Sequence, residues 1–271
     1  VDEVPGHLKH IQWTQEEYES KDNAEARKQF VLESLPELTF LKCTGGEPFV
    51  SKHFNEVLDK AIESGHSKHI TLSITTNGTK FTRKITEKFS HFESIDMNIS
   101  VDGCYEVYDY IRYPFTWNQW KERVIDFLTD MEDHHNFKVR FSTVVTAYNF
   151  LNLCDLQKEI DLITGLFFEG HRNHFDFDLK PDHSELHSKW LPVEMLKYER
   201  DKARDLFKTK YRVHPLNNLE AFVNRWIFEK EKHDVTGEKR TELVKSTKIL
   251  DKARNQDYKV LHPKLVEWLD E

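Results

Sequence analysis

No apolar run among the 271 residues approaches the roughly 18 needed to cross a bilayer, so a membrane-spanning helix is excluded. Glycine and proline are scarce, at 9 and 8 residues, which excludes a collagen-like or low-complexity chain. Cysteine is scarcer still. Cys43, Cys104 and Cys154 lie 61 and 50 residues apart, a spacing that makes no disulfide framework and matches no zinc or redox motif. A reducing, cytoplasmic setting is the expectation. Positive charge is also short: 39 Lys and Arg against 47 Asp and Glu leave a net charge of −8 with no basic stripe, which disfavours bulk nucleic acid. The start, Val1-Asp2-Glu3, is acidic and lacks the apolar stretch of a signal peptide. It also lacks a Met, so the native chain is expected to continue upstream. No Gly-x-x-x-x-Gly-Lys phosphate loop and no Gly-x-Ser-x-Gly elbow occurs. Aromatics, by contrast, make up 13% of the residues, far more than a disordered chain carries.

Strand and helix patterns alternate from residue 38 to 180. Strands are expected at 38–44, 70–76, 95–101, 138–146 and 175–179. Helices are expected at 24–35, from Phe54 to Ile62 with Gly65 as its stop, at 82–90, 117–131 and 153–163. Such alternation predicts an α/β fold with a parallel sheet and right-handed crossovers. Ligands of such sheets bind at the carboxyl ends of the strands. Four strands end there in small or polar clusters: Thr44-Gly-Gly-Glu-Pro48, Thr76-Asn-Gly78, Ser100-Val-Asp-Gly103 and Thr146–Asn149. Any one is a turn; four at one end suggest a shared ligand site. From Leu191 onward the pattern is helical: Pro192–Phe207, Leu216–Glu231 and Lys239–Arg254, with Asp234–Gly237 as a loop and a short helix after Pro263. Three segments are expected: 1–37 as an N-terminal connection and helix, 38–185 as the sheet core, and 186–271 as a helical C-terminal extension.

The ordered set Thr44-Gly-Gly-Glu-Pro48, Thr76-Asn-Gly-Thr79 and Ser100-Val-Asp-Gly103 resembles the radical S-adenosylmethionine (SAM) superfamily. Tyr110-Ile-Arg-Tyr-Pro114 with Trp117, Lys248–Arg254 and His262–Trp268 sharpen the resemblance to its twitch-domain members. The resemblance covers residues 30 to 271 and implies a partial (β/α)6 TIM-like barrel with its first strand missing here. It implies that Gly45, Gly46, Glu47 and Pro48 form the turn that receives the SAM amino group, Gly permitting close backbone approach and Pro stiffening the turn. Glu47 would pair with the ammonium or hold the turn. Thr76 and Asn77 would lie near the methionine and ribose. Ser100 and Asp102 would approach the ribose hydroxyls or carboxylate. Arg112 would offer a fork to the carboxylate, with Asn149 at the next strand end.

The family's reaction needs a [4Fe–4S] cluster on three cysteines, usually C-x3-C-x2-C, which splits SAM reductively into a radical that abstracts a hydrogen atom. That triad is absent from these residues. Either its ligands lie upstream of Val1, or the protein is a cluster-less relative acting as a binding or structural component of an assembly. The cofactors implied are SAM and, by resemblance alone, the cluster. The partners implied are a peptide or small-molecule substrate and, for an active enzyme, an electron donor. No catalytic residue is assigned. Weaker constellations are His183 with His187, His171 with His174, the strand pair Asp176 and Asp178, and Lys180 as a Schiff-base candidate for an aldolase-like alternative.

Overall fold

A computed structural model describes residues 21–134, 136–167, 174–178, 186–210, 217–232 and 234–271. In chain order the elements are α1 (Lys21–Ser34), β1 (Phe40–Cys43), α2 (Lys52–Glu63), β2 (Thr71–Thr76), α3 (Arg83–Phe89), β3 (Ser94–Ser100), α4 (Tyr105–Ile111), α5 (Trp117–Met131), β4 (Phe137–Val144), α6 (Leu153–Gly165), β5 (His174–Asp178), α7 (Val193–Lys210), α8 (Asn217–Lys232), α9 (Thr236–Arg254) and α10 (Pro263–Asp270). The sheet order is β1-β2-β3-β4-β5. The β1–β2 and β4–β5 pairs are parallel, with Phe40 opposite Thr71 and Arg140 opposite His174. Sequential strands joined through helices are the arrangement of a partial (β/α) barrel. Among the described residues no helix is long and apolar enough to cross a membrane.

All five expected strands are present. Two expectations fail locally. α4 was not anticipated, and α9 begins at Thr236, inside the expected loop Asp234–Gly237. Just before that helix Asp234 accepts a hydrogen bond from the Thr236 amide at 2.9 Å, while the N-cap residue Val235 offers no side-chain cap.

The chain forms two compact units: one holds the described residues up to Asn98 with Asp130–Lys138, the other Ile99–Thr129 with Val139–Glu271. In the first, α2 follows from its pattern. Ser51 caps it by accepting from the Phe54 amide at 3.3 Å, and Phe54, Val57, Leu58 and Ala61 form its buried stripe. Gly65 leaves it at φ 75°, the left-handed stop expected of glycine. β2 alternates: Leu72, Ile74 and Thr76 are buried, while Thr71, Ser73 and Thr75 are half-buried. β3 does the same, with Ile95 and Met97 inside and Ser94, Asp96 and Asn98 on the other face. A parallel strand covered on both faces is apolar throughout. These strands instead keep one half-buried polar face.

In the second unit Trp120 stacks on Trp117 at 5.1 Å between ring centroids and meets Tyr108 and Phe141. The C-terminal helices share a core with α4 and α6, joining Leu191, Leu196, Val223, Leu243 and Leu265 to Phe150 and Leu153. Polar ties reinforce it: Tyr110 donates to Asp251 at 2.9 Å, and the Tyr148 and Thr247 hydroxyls lie 2.9 Å apart.

Candidate functional site

Two clusters carry the expected site residues, one in each unit. In the first, β1 runs into Thr44-Gly45-Gly46, all exposed. Gly45 (φ 88°) and Gly46 (φ 54°) are both left-handed, so the turn requires glycine on conformational grounds. A Cβ on Gly46 would meet nothing within 4 Å. The backbone there faces open space.

Glu47 fixes this turn. Its Oε1 accepts from the Thr76 hydroxyl at 2.8 Å and the Phe49 amide at 3.3 Å, and its Oε2 accepts from the Asn77 amide at 2.8 Å. One carboxylate thus ties the end of β1 to the end of β2. Thr76 Oγ1 accepts from the Gly78 amide at 3.1 Å, and Asn77 Oδ1 accepts from the Thr79 amide at 2.9 Å. Pro48 and Phe49 are buried, Phe49 packing on Phe54, Phe81 and Phe89. Of the two roles expected for Glu47, holding the turn is the one the geometry displays.

In the second cluster β3 ends at half-exposed Ser100, and the chain passes through Asp102. Asp102 Oδ1 accepts from the Val144 amide at 2.9 Å, and Oδ2 pairs with Arg112 Nη2 at 2.7 Å. Arg112 Nε is buried and without a hydrogen-bond partner. A ligand carboxylate reaching Arg112 must therefore share the guanidinium with Asp102. Asn149 is fully buried. Its amide donates to the Val144 carbonyl at 2.9 Å, and its oxygen accepts from the Thr146 amide at 2.7 Å. Its polar atoms are used in holding the chain after β4.

Residues the sequence did not flag stand beside this cluster. The Tyr105 hydroxyl donates to Glu159 Oε1 at 2.5 Å, and Lys121 pairs with Oε2 at 2.6 Å. Burial pushes the Glu159 carboxyl up, and the bonds from Lys121 and Tyr105 outweigh it, holding the group below its usual value. Asn152 is the other omission. Its three-residue spacing from Asn149 was the available signal.

The cysteines do not fit an iron–sulfur cluster. A cluster is held by thiolates, and burial pushes the Cys43 and Cys104 thiols up to about 12 and Cys154 further in the same direction. The Cys104 thiol is spent on Asn152 Oδ1 at 3.5 Å. Among the described residues no group of three His, Cys, Asp or Glu side chains could hold a metal ion. His187 caps a short turn by accepting from the Lys189 amide at 3.0 Å and packs on Trp226. Lys180, His171, His183 and the side chains of His174, Asp176 and Asp178 lie outside the described residues.

The raised thiols give a pH dependence. The folded chain holds these protons more tightly than the unfolded chain, whose thiols titrate near 9.0. This stability is complete below pH 9.0 and is lost as pH rises towards about 12. Raised Tyr105, Tyr108 and Tyr110 act in the same direction. The melting temperature is expected to fall steadily above pH 9.0. A flat profile over that window, with thiols titrating in the folded state, would refute the burial argument.

No family profile matches the chain, and no curated protein does. Among solved structures it is similar to SuiB of Streptococcus suis, at 13% identity and a TM-score of 0.46 over 68% of this chain and 40% of SuiB. It is also similar to anSMEcpe with bound AdoMet and Cp18Cys peptide, at 18% identity and a TM-score of 0.49 over 68% of this chain and 51% of that one. The chain spans about half the length of these proteins or less.

Proposed function

We propose that this chain is the SAM-binding portion of a radical SAM-type protein, with the Gly45-Gly46 backbone receiving the amino group of SAM. The observation that carries this is the exposed, left-handed Gly45-Gly46 turn, with open space at Gly46, pinned by Glu47 to the end of β2. Thr76 and Asn77 flank it. Ser100, Asp102 and Arg112 belong to the reading as contacts of the ribose and carboxylate, and Asn149 as a support. A peptide or small molecule is the substrate class of the whole enzyme, together with an electron donor, a twitch domain and a cytoplasmic setting.

Because the cysteines of this chain do not fit a cluster, its assigned role is to bind SAM. Reductive cleavage and hydrogen-atom abstraction are left to ligands that are not among its residues. The buried thiols equally favour the second reading, a cluster-less binding component. Anaerobic incubation of this chain with iron and sulfide is expected to yield no bound cluster under either reading.

Calorimetry with SAM tests the binding site. The chain is expected to bind one SAM saturably. Gly46→Ala costs only the left-handed strain of about 1–2 kcal/mol in the free protein, since its methyl enters open space. It is expected to weaken SAM binding about tenfold or more by blocking close approach. Wild-type affinity in Gly46→Ala would remove the assignment, and no SAM binding by the parent chain would remove the function.

A further inference from the structure

The turn after β3 is strained, and its own sequence does not hold it. Gly103 adopts φ 132° and Tyr105 adopts φ 56°. A left-handed aromatic costs about 1–3 kcal/mol and persists only where its surroundings over-determine it. Cys104, at the N-terminus of α4, makes no side-chain cap to that helix. The Tyr105 hydroxyl is tied to Glu159, and the backbone before it is held by Asn152, 48 residues beyond Cys104. Asn152 Oδ1 accepts from the Cys104 amide at 2.8 Å. A Cβ on Gly103 would stand 3.2 Å from that same oxygen and 2.9 Å from Val107 Cγ1, so the backbone is pressed against it.

Asn152 gives up an ordinary duty to do this. It is the N-cap residue of α6, yet its side chain makes no cap bond to that helix. An N-cap oxygen normally accepts from one of the first helical amides. Here Glu199, from α7 and fully buried, takes that place by accepting from the Cys154 amide at 2.9 Å. Asn149, three residues earlier, lies 3.4 Å from the Asp102 carbonyl through its amide nitrogen. Asn149 precedes the 3-10 turn Phe150–Asn152 and Asn152 ends it, the Asn152 amide donating to the Asn149 carbonyl at 2.9 Å. Residues three apart eclipse in such a turn, so both side chains reach the same loop.

We propose that Asn152 is a positioning residue: its side-chain oxygen sets the Asp102-Gly103-Cys104 turn, and through it the Asp102 carboxylate, for ligand. The ligand half of this rests on the SAM reading above; the clamp on the turn does not. The test pairs Asn152→Ala with Asn152→Asp, which keeps the accepting oxygen. Two readouts are taken on the full chain: the rate at which a thiol reagent labels Cys104 in the folded protein, located by mass spectrometry, and SAM affinity. Asn152→Ala is expected to raise the Cys104 rate about tenfold and weaken SAM about tenfold, and Asn152→Asp to restore both to within about twofold. Unchanged labelling in Asn152→Ala overturns the clamp. Equal acceleration in both variants also overturns it, because lost packing rather than a lost acceptor would then explain the result. Faster labelling with unchanged SAM affinity overturns the positioning role. A parent chain that binds no SAM removes the SAM reading and the ligand half with it, while labelling still decides the clamp.

Discussion

Trp120→Ala is expected to destabilise the second unit by about 3–5 kcal/mol, the usual cost of truncating a large buried aromatic. Trp120 is fully buried, and its partners explain why the site should not collapse. Trp117 stacks on it with an interplanar angle of 22°, and Tyr108 and Phe141 meet it at 5.7 and 6.3 Å. Trp117 is fixed in turn by its amide, which donates to Asp109 Oδ1 at 2.5 Å. Rings held from several sides relax poorly into a void. Thermal unfolding is expected to drop by roughly 6–20 °C at about 2–4 °C per kcal/mol for a domain of this size. Trp120→Phe should recover most of that loss, because a ring still fills the space. A fall of only a degree or two in Trp120→Ala would mean that α5 carries little of the core.

The strands and the long helices were legible because their signals are local. The stripe of α2 and the alternation of β2 and β3 are patterns within a dozen residues. What was not legible depends on partners far along the chain. α4 is seven residues with three tyrosines, a weak helix on propensity. It begins at a strained Tyr105, next to the Cys104 amide that Asn152 holds, and nothing near it announces that bond. The polar turns at the strand ends were readable as a set, but the division of labour among them was not. Glu47 could be named from its motif, whereas its commitment to Thr76 and Asn77, 29 and 30 residues away, needs the β1–β2 register. Arg112 was readable as a fork for an anion, and the structure shows Asp102 already on one of its prongs.

Glu47→Ala joins fold to site and has the second large effect. Removing the carboxylate strands three donors: the Thr76 hydroxyl and the amides of Asn77 and Phe49. A buried donor left unpaired costs about 1–3 kcal/mol. Thr76 is 1% exposed and has little access to water, while water can reach the backbone amide of half-exposed Asn77. The sum is therefore nearer to two such losses than three, about 2–6 kcal/mol. Glu47→Gln should fall between: its oxygen can still accept from Thr76 and Phe49, but its amino group faces the Asn77 amide donor to donor. Thermal melts of the three proteins give the order directly. SAM affinity should fall with the same order, because the Gly45-Gly46 backbone loses its tie to β2. This separates Glu47 from Gly46. Gly46→Ala is expected to cost only about 1–2 kcal/mol of stability while striking binding, and Glu47→Ala to strike both harder. If Glu47→Ala melts with the parent and binds SAM as well, the carboxylate does not hold the turn. The pairing of β1 with β2 would then have to supply the order at these strand ends unaided.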